Sequence, residues 1–230
     1  MSNHSNAEVT ITAEASIAKE LFTYIEAVQG DSEFAIISEE ALEDVEIPED
    51  PTAEVVISGW ATGKWSYSEN NLKYYFAGRL AKSSWREDKA SHMTFHKLVG
   101  AIKRKGGWFR IDYKDWESGA GFIDLGSMYI EKGDVDNEVP FVDSDTVDCS
   151  LENLMYHFDY DEYEAIDQLY GDEMNAALGE YRDAGGERGA TDFIDDYSQE
   201  VYDETFNTER AAEIVAEEKK SSEAVEGQPN

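Results

Sequence analysis

Trp108-Phe109-Arg110-Ile111-Asp112-Tyr113 decides the fold class of this 230-residue chain. It is dense in the aromatic and β-branched residues that fit a pleated, half-buried surface, so it reads as a strand. Residues 114–119 turn around Glu117-Ser118-Gly119, and Phe122 to Ile130 returns as a second strand beside it. Two strands joined by so short a turn lie antiparallel.

The residues upstream supply the rest of a sheet and the helices that cover it. Val9-Thr10-Ile11-Thr12 alternates and predicts a strand. Ser16 stands at an N-cap, and Ile17, Leu21, Tyr24, Ile25 and Val28 follow at helical spacing until Gly30. Phe34-Ala35-Ile36-Ile37 predicts a short buried strand. Residues 38–53, acidic and carrying Pro48 and Pro51, predict an exposed connection. Val55 to Trp60 is a further strand. Ser68 or Asn70 can cap a helix with Leu72, Tyr75, Phe76 and Leu80 inward, and Thr94 one with Phe95, Leu98, Val99 and Ile102 inward. The latter ends in Lys103-Arg104-Lys105 and Gly106-Gly107, cations at the negative helix end and then a stop. Strand, helix, strand, strand, helix, strand, with an added hairpin partner, is the order of a ferredoxin-like split βαβ unit. The expectation is an α+β fold: a ferredoxin-like antiparallel sheet with helices over residues 1–132.

The remainder is acidic and has helical periodicity. Asp134 to Glu217 holds 26 Asp and Glu against Arg182, Arg188 and Arg210, a net −23 over 84 residues. Ser150 can cap a helix with Leu151, Leu154, Met155 and Phe158 inward. Tyr163, Ile166, Tyr170, Met174, Ala177, Leu178 and Tyr181 predict one longer helix, ended by Gly185, Gly186 and Gly189. Thr191 or Asp192 opens another, carrying Phe193, Ile194, Tyr197, Val201 and Tyr202 and reaching toward Phe206. Thr208 caps a last one through Ile214 and Val215. The expected division is an acidic helical region over 133–220 and a disordered tail over 221–230.

The totals exclude several classes of function. With 41% hydrophobic and 12% aromatic residues the chain can build a core. A net charge of −32 disfavours direct binding to nucleic acid, which needs cations to displace counterions, and repels anionic membranes. No window approaches the roughly 18 apolar residues of a membrane span. One cysteine, Cys149, allows no intramolecular disulfide and points to a reducing compartment, with burial as its ordinary role. Cytoplasmic residence is expected, in a cell of its own or in a host cell in which the chain is made.

No catalytic or metal site emerges, and no cofactor is expected. His92 and His96 share zincin spacing, but Met93 stands where the catalytic Glu belongs. Asp134-x-Asp136-x-Glu138 begins like a calcium loop and has Val139 where the sharp turn needs Gly; Asp143-x-Asp145 fails likewise at Asp148. Among 51 acids some pair always lies at a distance suited to acid–base work, so pairing carries no signal. Lys97, Lys103, Arg104 and Lys105 beside Trp108 and Phe109 form a basic patch that helix capping explains.

Two segments carry a family resemblance. Gly63 to Leu72 (GKWSYSENNL) and Tyr113 to Phe122 (YKDWESGAGF) resemble the ferredoxin-like domain of phage and plasmid accessory proteins of the YubB type. In that family a Trp-Ser turn opens the helix and a Tyr…Glu-Ser/Pro-Gly…Phe hairpin closes the sheet. The resemblance covers residues 54–132, implies a mobile-element origin and the sheet topology, and transfers no catalytic residue.

The acidic helices remain as the functional candidate. Asp159, Asp161, Glu162, Glu164, Asp167, Asp172, Glu173, Asp195, Asp196, Glu200, Asp203 and Glu204 interleave with the apolar positions, which would hold carboxylates on rigid helices as phosphates are held on a duplex. Four helices about 30–40 Å long would carry one charge per roughly 1.3–1.7 Å, against about 1.7 Å for duplex DNA. The expected activity is that of a non-enzymatic DNA mimic that binds the basic nucleic-acid-binding surface of a host defence protein, a CRISPR or restriction complex. Two alternatives stand beside it: a ligand-binding or enzymatic domain with Trp60, Trp65, Tyr113 and Trp116 around a pocket on the sheet, and a structural mobile-element protein whose acids only solubilise it. Oligomeric state is not legible.

Overall fold

The structure, a computed structural model, describes residues 4–29, 35–43, 45–64, 66–76, 95–117, 121–133 and 141–226. It divides into two compact units, Met1–Cys149 and Ser150–Asn230.

The first unit is α+β, as expected. Five strands, β1 (His4–Glu14), β2 (Glu54–Lys64), β3 (Phe109–Glu117), β4 (Phe122–Ile130) and β5 (Phe141–Asp148), form one antiparallel sheet in the order β2-β1-β3-β4-β5. Because β2 and β3 both run antiparallel to β1, they are parallel to each other and split by it. Register places Ile57, Ile11, Ile111 and Met128 in one row across four strands. Odd positions of β1 and β3 face inward: Val9, Ile11, Ala13, Phe109, Ile111 and Tyr113 are buried, whereas Arg110 and Lys114 are exposed. Helix α1 (Ala15–Gln29) covers that inner face with Ile17, Leu21, Tyr24, Ile25 and Val28, and packs on α4 (Phe95–Lys105), which brings Leu98 and Ile102. Tyr24, Phe76, Phe95 and Phe109 form a ring cluster with centroids 5.5–5.9 Å apart.

The route through the sheet differs from the expected one at Ile36–Ile37; Phe34, in the same expected strand, lies outside the described residues. Ile36 and Ile37 are fully buried but not in a strand. The Gln29 amide takes the place of a neighbouring strand: its Oε1 accepts from Ile36 N (3.0 Å) and Ile37 N (3.3 Å), and its Nε2 donates to Ile37 O (3.0 Å). Apolar burial alone therefore did not require a sheet there. A short α2 (Glu40–Glu43) follows and packs on β2. Between β2 and α3 (Lys73–Phe76) lies a π-helical turn, Ser68–Leu72, preceded by Tyr67 without a side-chain cap. Ser68 does not cap, because its Oγ donates to Asp124 Oδ2 at 2.8 Å. Leu80, Thr94, His92 and the Asp134–Glu138 motif lie outside the described residues, as does Trp65.

The boundary between the units lies later than 132. Residues 141–148 were expected to belong to the acidic helical region, but as β5 they pair with β4 from Phe122 to Tyr129 and so complete the sheet. As the end strand it can present Asp143 and Asp145 to solvent, which is why acidic composition misled. Cys149 is partly exposed, not buried.

The second unit is helical: α5 (Leu151–Phe158), α6 (Glu162–Tyr170), α7 (Asp172–Asp183), α8 (Ala190–Tyr202) and α9 (Thr208–Glu226). Ser150 caps α5 as predicted, its side chain accepting from Asn153 N. The single helix expected over 163–181 is two, because Gly171 takes φ +88°, a conformation that breaks the ladder. Gly189 precedes α8 where Thr191 or Asp192 was expected to cap it. Asn207 caps α9 where Thr208 was expected, its Oδ1 accepting from Arg210 N at 2.9 Å. The tail expected from 221 is helical to Glu226, and 227–230 lie outside the described residues.

Candidate partner-binding surface

Residues 150–230 hold 23 acids and five bases, a net −18. Leu154, Ile166, Met174, Leu178, Tyr181, Phe193, Ala211 and Ile214 bury almost completely and fix α5 to α9 as a frame. Tyr181, Phe193, Tyr197 and Phe206 stack in its aromatic centre, with centroids 5.1–6.3 Å apart.

All three arginines of this frame are spent inside it. Arg182 Nη1 meets Glu162 at 2.7 Å. Arg188 pairs with Asp196 and Glu218 and lies over the Tyr197 ring, so it ties α8 to α9. Arg210 takes both oxygens of Glu200, at 3.0 and 3.1 Å, a bidentate link between the same two helices. That guanidinium holds the Glu200 carboxyl below its usual range.

Of the twelve carboxylates expected to form the surface, none is buried. They differ in what else they hold. Glu162, Asp196 and Glu200 are the arginine partners just described. Asp161 and Glu164 form a capping box on α6: Asp161 Oδ1 accepts from Glu164 N (2.8 Å), and Glu164 Oε2 accepts from Asp161 N (2.9 Å). Asp159 ends α5 with φ +57°, and Asp203 follows α8 and accepts from Gln199 Nε2 at 2.9 Å. Asp172 opens α7 and shares a hydrogen bond with Asp167, whose pKa it raises. Glu173, Asp195 and Glu204 are exposed, with Glu204 just beyond α8 at φ +56°. About half of the twelve are therefore parts of the frame as well as of its surface.

Sequence reasoning missed the aromatic component of this surface. Met155, Tyr163 and Tyr202 were assigned inward, and the structure places them outward with 37%, 60% and 56% exposure; Tyr156 is 81% exposed. At about 100° per residue, Tyr163 lies roughly 110° from the centre of the Ala165–Ile166 face, and Tyr202 equally far from the Phe193–Ile194–Val201 face. Helices of eight to thirteen residues bury narrow faces, and the spacing rule accepted too wide a stripe.

The first unit offers a different feature. Asp115 and Asp124 stand directly opposite each other on β3 and β4, on the inner face, 0% and 6% exposed. Asp115 Oδ2 accepts from Tyr67 N at 2.8 Å, and Asp124 Oδ2 accepts from Ser68 Oγ. Burial raises the Asp124 pKa, opposed by Ser68, Lys73 and Tyr113, and pushes the Tyr113 phenol up to about 12. The aromatic pocket expected around Trp60, Tyr113 and Trp116 is not assembled. Positions 113 and 116 have opposite parity on β3, so Tyr113 packs inward on Tyr67 while Trp116 packs on half-exposed Trp60 outside. Of the basic patch, Phe109 is core and Lys105 is held by Ser16 O (2.7 Å) and Glu20, whereas Lys97 and Arg104 are exposed. Among the described residues no group of three acids, histidines or cysteines could hold a metal ion, and no helix is long and apolar enough to cross a membrane.

Comparisons of the chain with protein-family models, curated proteins and solved structures found no match.

Proposed function

We propose that this chain is a non-enzymatic inhibitor of phage or mobile-element origin, and that its helical unit docks on the basic nucleic-acid-binding surface of a host defence complex. The observation that carries this reading is the division of charge in residues 150–230: the three arginines pair with carboxylates of the same unit, and most of the carboxylates in excess face solvent from its helices. The longest helix, of 19 residues, is about 28 Å at roughly 1.5 Å per residue. Eighteen excess charges along that length give one per about 1.6 Å, close to the 1.7 Å of duplex DNA. Such a surface attracts a cationic groove quickly and with strong salt dependence.

The test is immobilised chain, host lysate and competition by duplex DNA. Retained proteins are expected to elute with duplex DNA and with rising salt. Combined Glu173→Gln, Asp195→Asn and Glu204→Gln substitution, which touches neither a capping box nor an arginine pair, is expected to weaken retention and flatten its salt dependence. Retention indifferent to duplex and to salt would reject the reading.

A second reading rests on the buried Asp115–Asp124 pair, which has the chemistry of an acid–base site on the sheet. It expects activity that survives the triple neutralisation and is lost in Asp115→Asn.

A further inference from the structure

One feature of the helical unit gives the docking reading an address. A groove of about 610 Å³ opens between α5 and the first turn of α8, lined by Glu152, Met155, Tyr156, Glu162, Ala190 and Asp192 among others. Its volume falls within the range of about 300–1,000 Å³ that ligand sites occupy. Every charged residue in its lining is acidic. Arg182 takes up Glu162 at 2.7 Å, which leaves Glu152, in the first turn of α5, and Asp192, in the first turn of α8. Asp192 also offsets the positive end of α8, where Gly189 provides no side-chain cap. Beside these carboxylates lie the two least expected side chains of the unit. Tyr156, 81% exposed, touches His157 edge-on at 4.8 Å, and Met155 is partly exposed. Exposed tyrosine and methionine next to acids are the residue types that anchor a protein interface, and a tyrosine ring face attracts a cation.

We propose that this groove seats a short basic segment of the partner, an arginine or lysine whose head group meets Glu152 and Asp192 and whose aliphatic stem lies across Met155 and Tyr156. The inference rests on the acidic-docking reading and adds the position of its energetic centre. The carboxylates select a cation, the apolar pair desolvates its stem, and the acids elsewhere on the unit speed the approach. An anionic or purely apolar segment would leave Glu152 and Asp192 uncompensated.

The experiment uses the full chain and a fluorescent peptide alternating arginine with leucine, read by anisotropy at about 150 mM salt, where long-range attraction is screened. Binding is expected, and the same peptide with citrulline for arginine should not bind. Tyr156→Ala, and the pair Glu152→Gln with Asp192→Asn, should each weaken binding about tenfold or more, the scale of an interface anchor. Tyr156→Lys, which puts a cation in the groove, should abolish it. Glu209→Gln with Glu217→Gln removes the same charge from α9 and should cost less than about threefold, as rim charges do. Retained helical circular dichroism and cooperative thermal unfolding confirm that the variants are folded. If the α9 pair costs as much as the groove pair, binding is spread over the surface: the groove is refuted and the docking reading stands. If the peptide does not bind at all, the groove is also refuted, and duplex competition judges the broader reading separately.

Discussion

Asp124 shows what a single residue does in this fold. Two carboxylates directly opposite across a β pair repel, and burial adds the cost of desolvating charge. The Asp124 pKa is raised in the folded chain, by burial first. Groups of both signs face it: Asp115, Glu69, Lys73, Tyr113 and Ser68. The native state therefore binds its proton more tightly than the unfolded state, so stability falls as pH rises from the ordinary carboxylate value through the raised one. Asp124→Asn keeps an acceptor for Ser68 and removes the titration. Thermal unfolding from pH 4 to pH 8 is expected to show a flatter decline in the variant, with its advantage over the wild type growing toward pH 8; parallel curves would refute it. Gly126, opposite Tyr113, makes a second residue-scale case. A methyl group there would fall 2.5 Å from the Tyr113 oxygen and 2.4 Å from the Asp143 carbonyl. Gly126→Ala is expected to destabilise the sheet by about 1–3 kcal/mol, as overpacking does, measurable by urea unfolding.

At the scale of elements, local chemistry read correctly at the hairpin, at α1 and at the α5 cap, and missed the starts of α8 and α9 by one to three residues. The β3–β4 hairpin, the α1 face and the Ser150 cap all depend on residues a few positions apart. Elements failed where a distant or unforeseen group completed them. The Gln29 amide occupies the backbone of Ile36 and Ile37, and β4 recruits a strand out of an acidic stretch. Gly171 could be read as a tolerated glycine within a helix, and only its φ of +88° shows the break. That break makes Asp161 the cap of a short helix anchored by Ala165 and Ile166. Asp161→Ala is expected to cost about 0.5–2 kcal/mol, the usual worth of an N-cap, visible as a lower midpoint in chemical unfolding followed by helical circular dichroism. It also cautions against reversing charge at Asp161, Glu162 or Glu164 to test docking, since such variants remove a capping box and the Arg182 partner along with the surface.

For the whole molecule, the governing quantity is −32. Self-repulsion of that size opposes compaction, and mobile ions screen it over about 10 Å at 0.1 M salt. The melting temperature is expected to rise as sodium chloride increases from about 10 to 500 mM, whereas a chain held by its surface ion pairs would lose stability. A fall would show that pairs such as Arg210–Glu200 outweigh the net field.

What the sequence alone determined is what short range controls. Strand and helix propensities, caps and charge composition made the α+β class, the antiparallel hairpin and an acidic helical second part legible before any coordinates. Tertiary structure decided the rest, because those properties depend on groups far apart along the chain. Register alone set Asp115 against Asp124 and sent Tyr113 and Trp116 to opposite faces. Packing alone paired Arg182, Arg188 and Arg210 with carboxylates of their own unit and left Tyr156 and Met155 outside beside Glu152 and Asp192. A count of charges cannot separate a carboxylate that caps a helix from one that awaits a partner. Their hydrogen bonds can, and in this chain about half of the twelve candidate acids already serve the frame that displays the others.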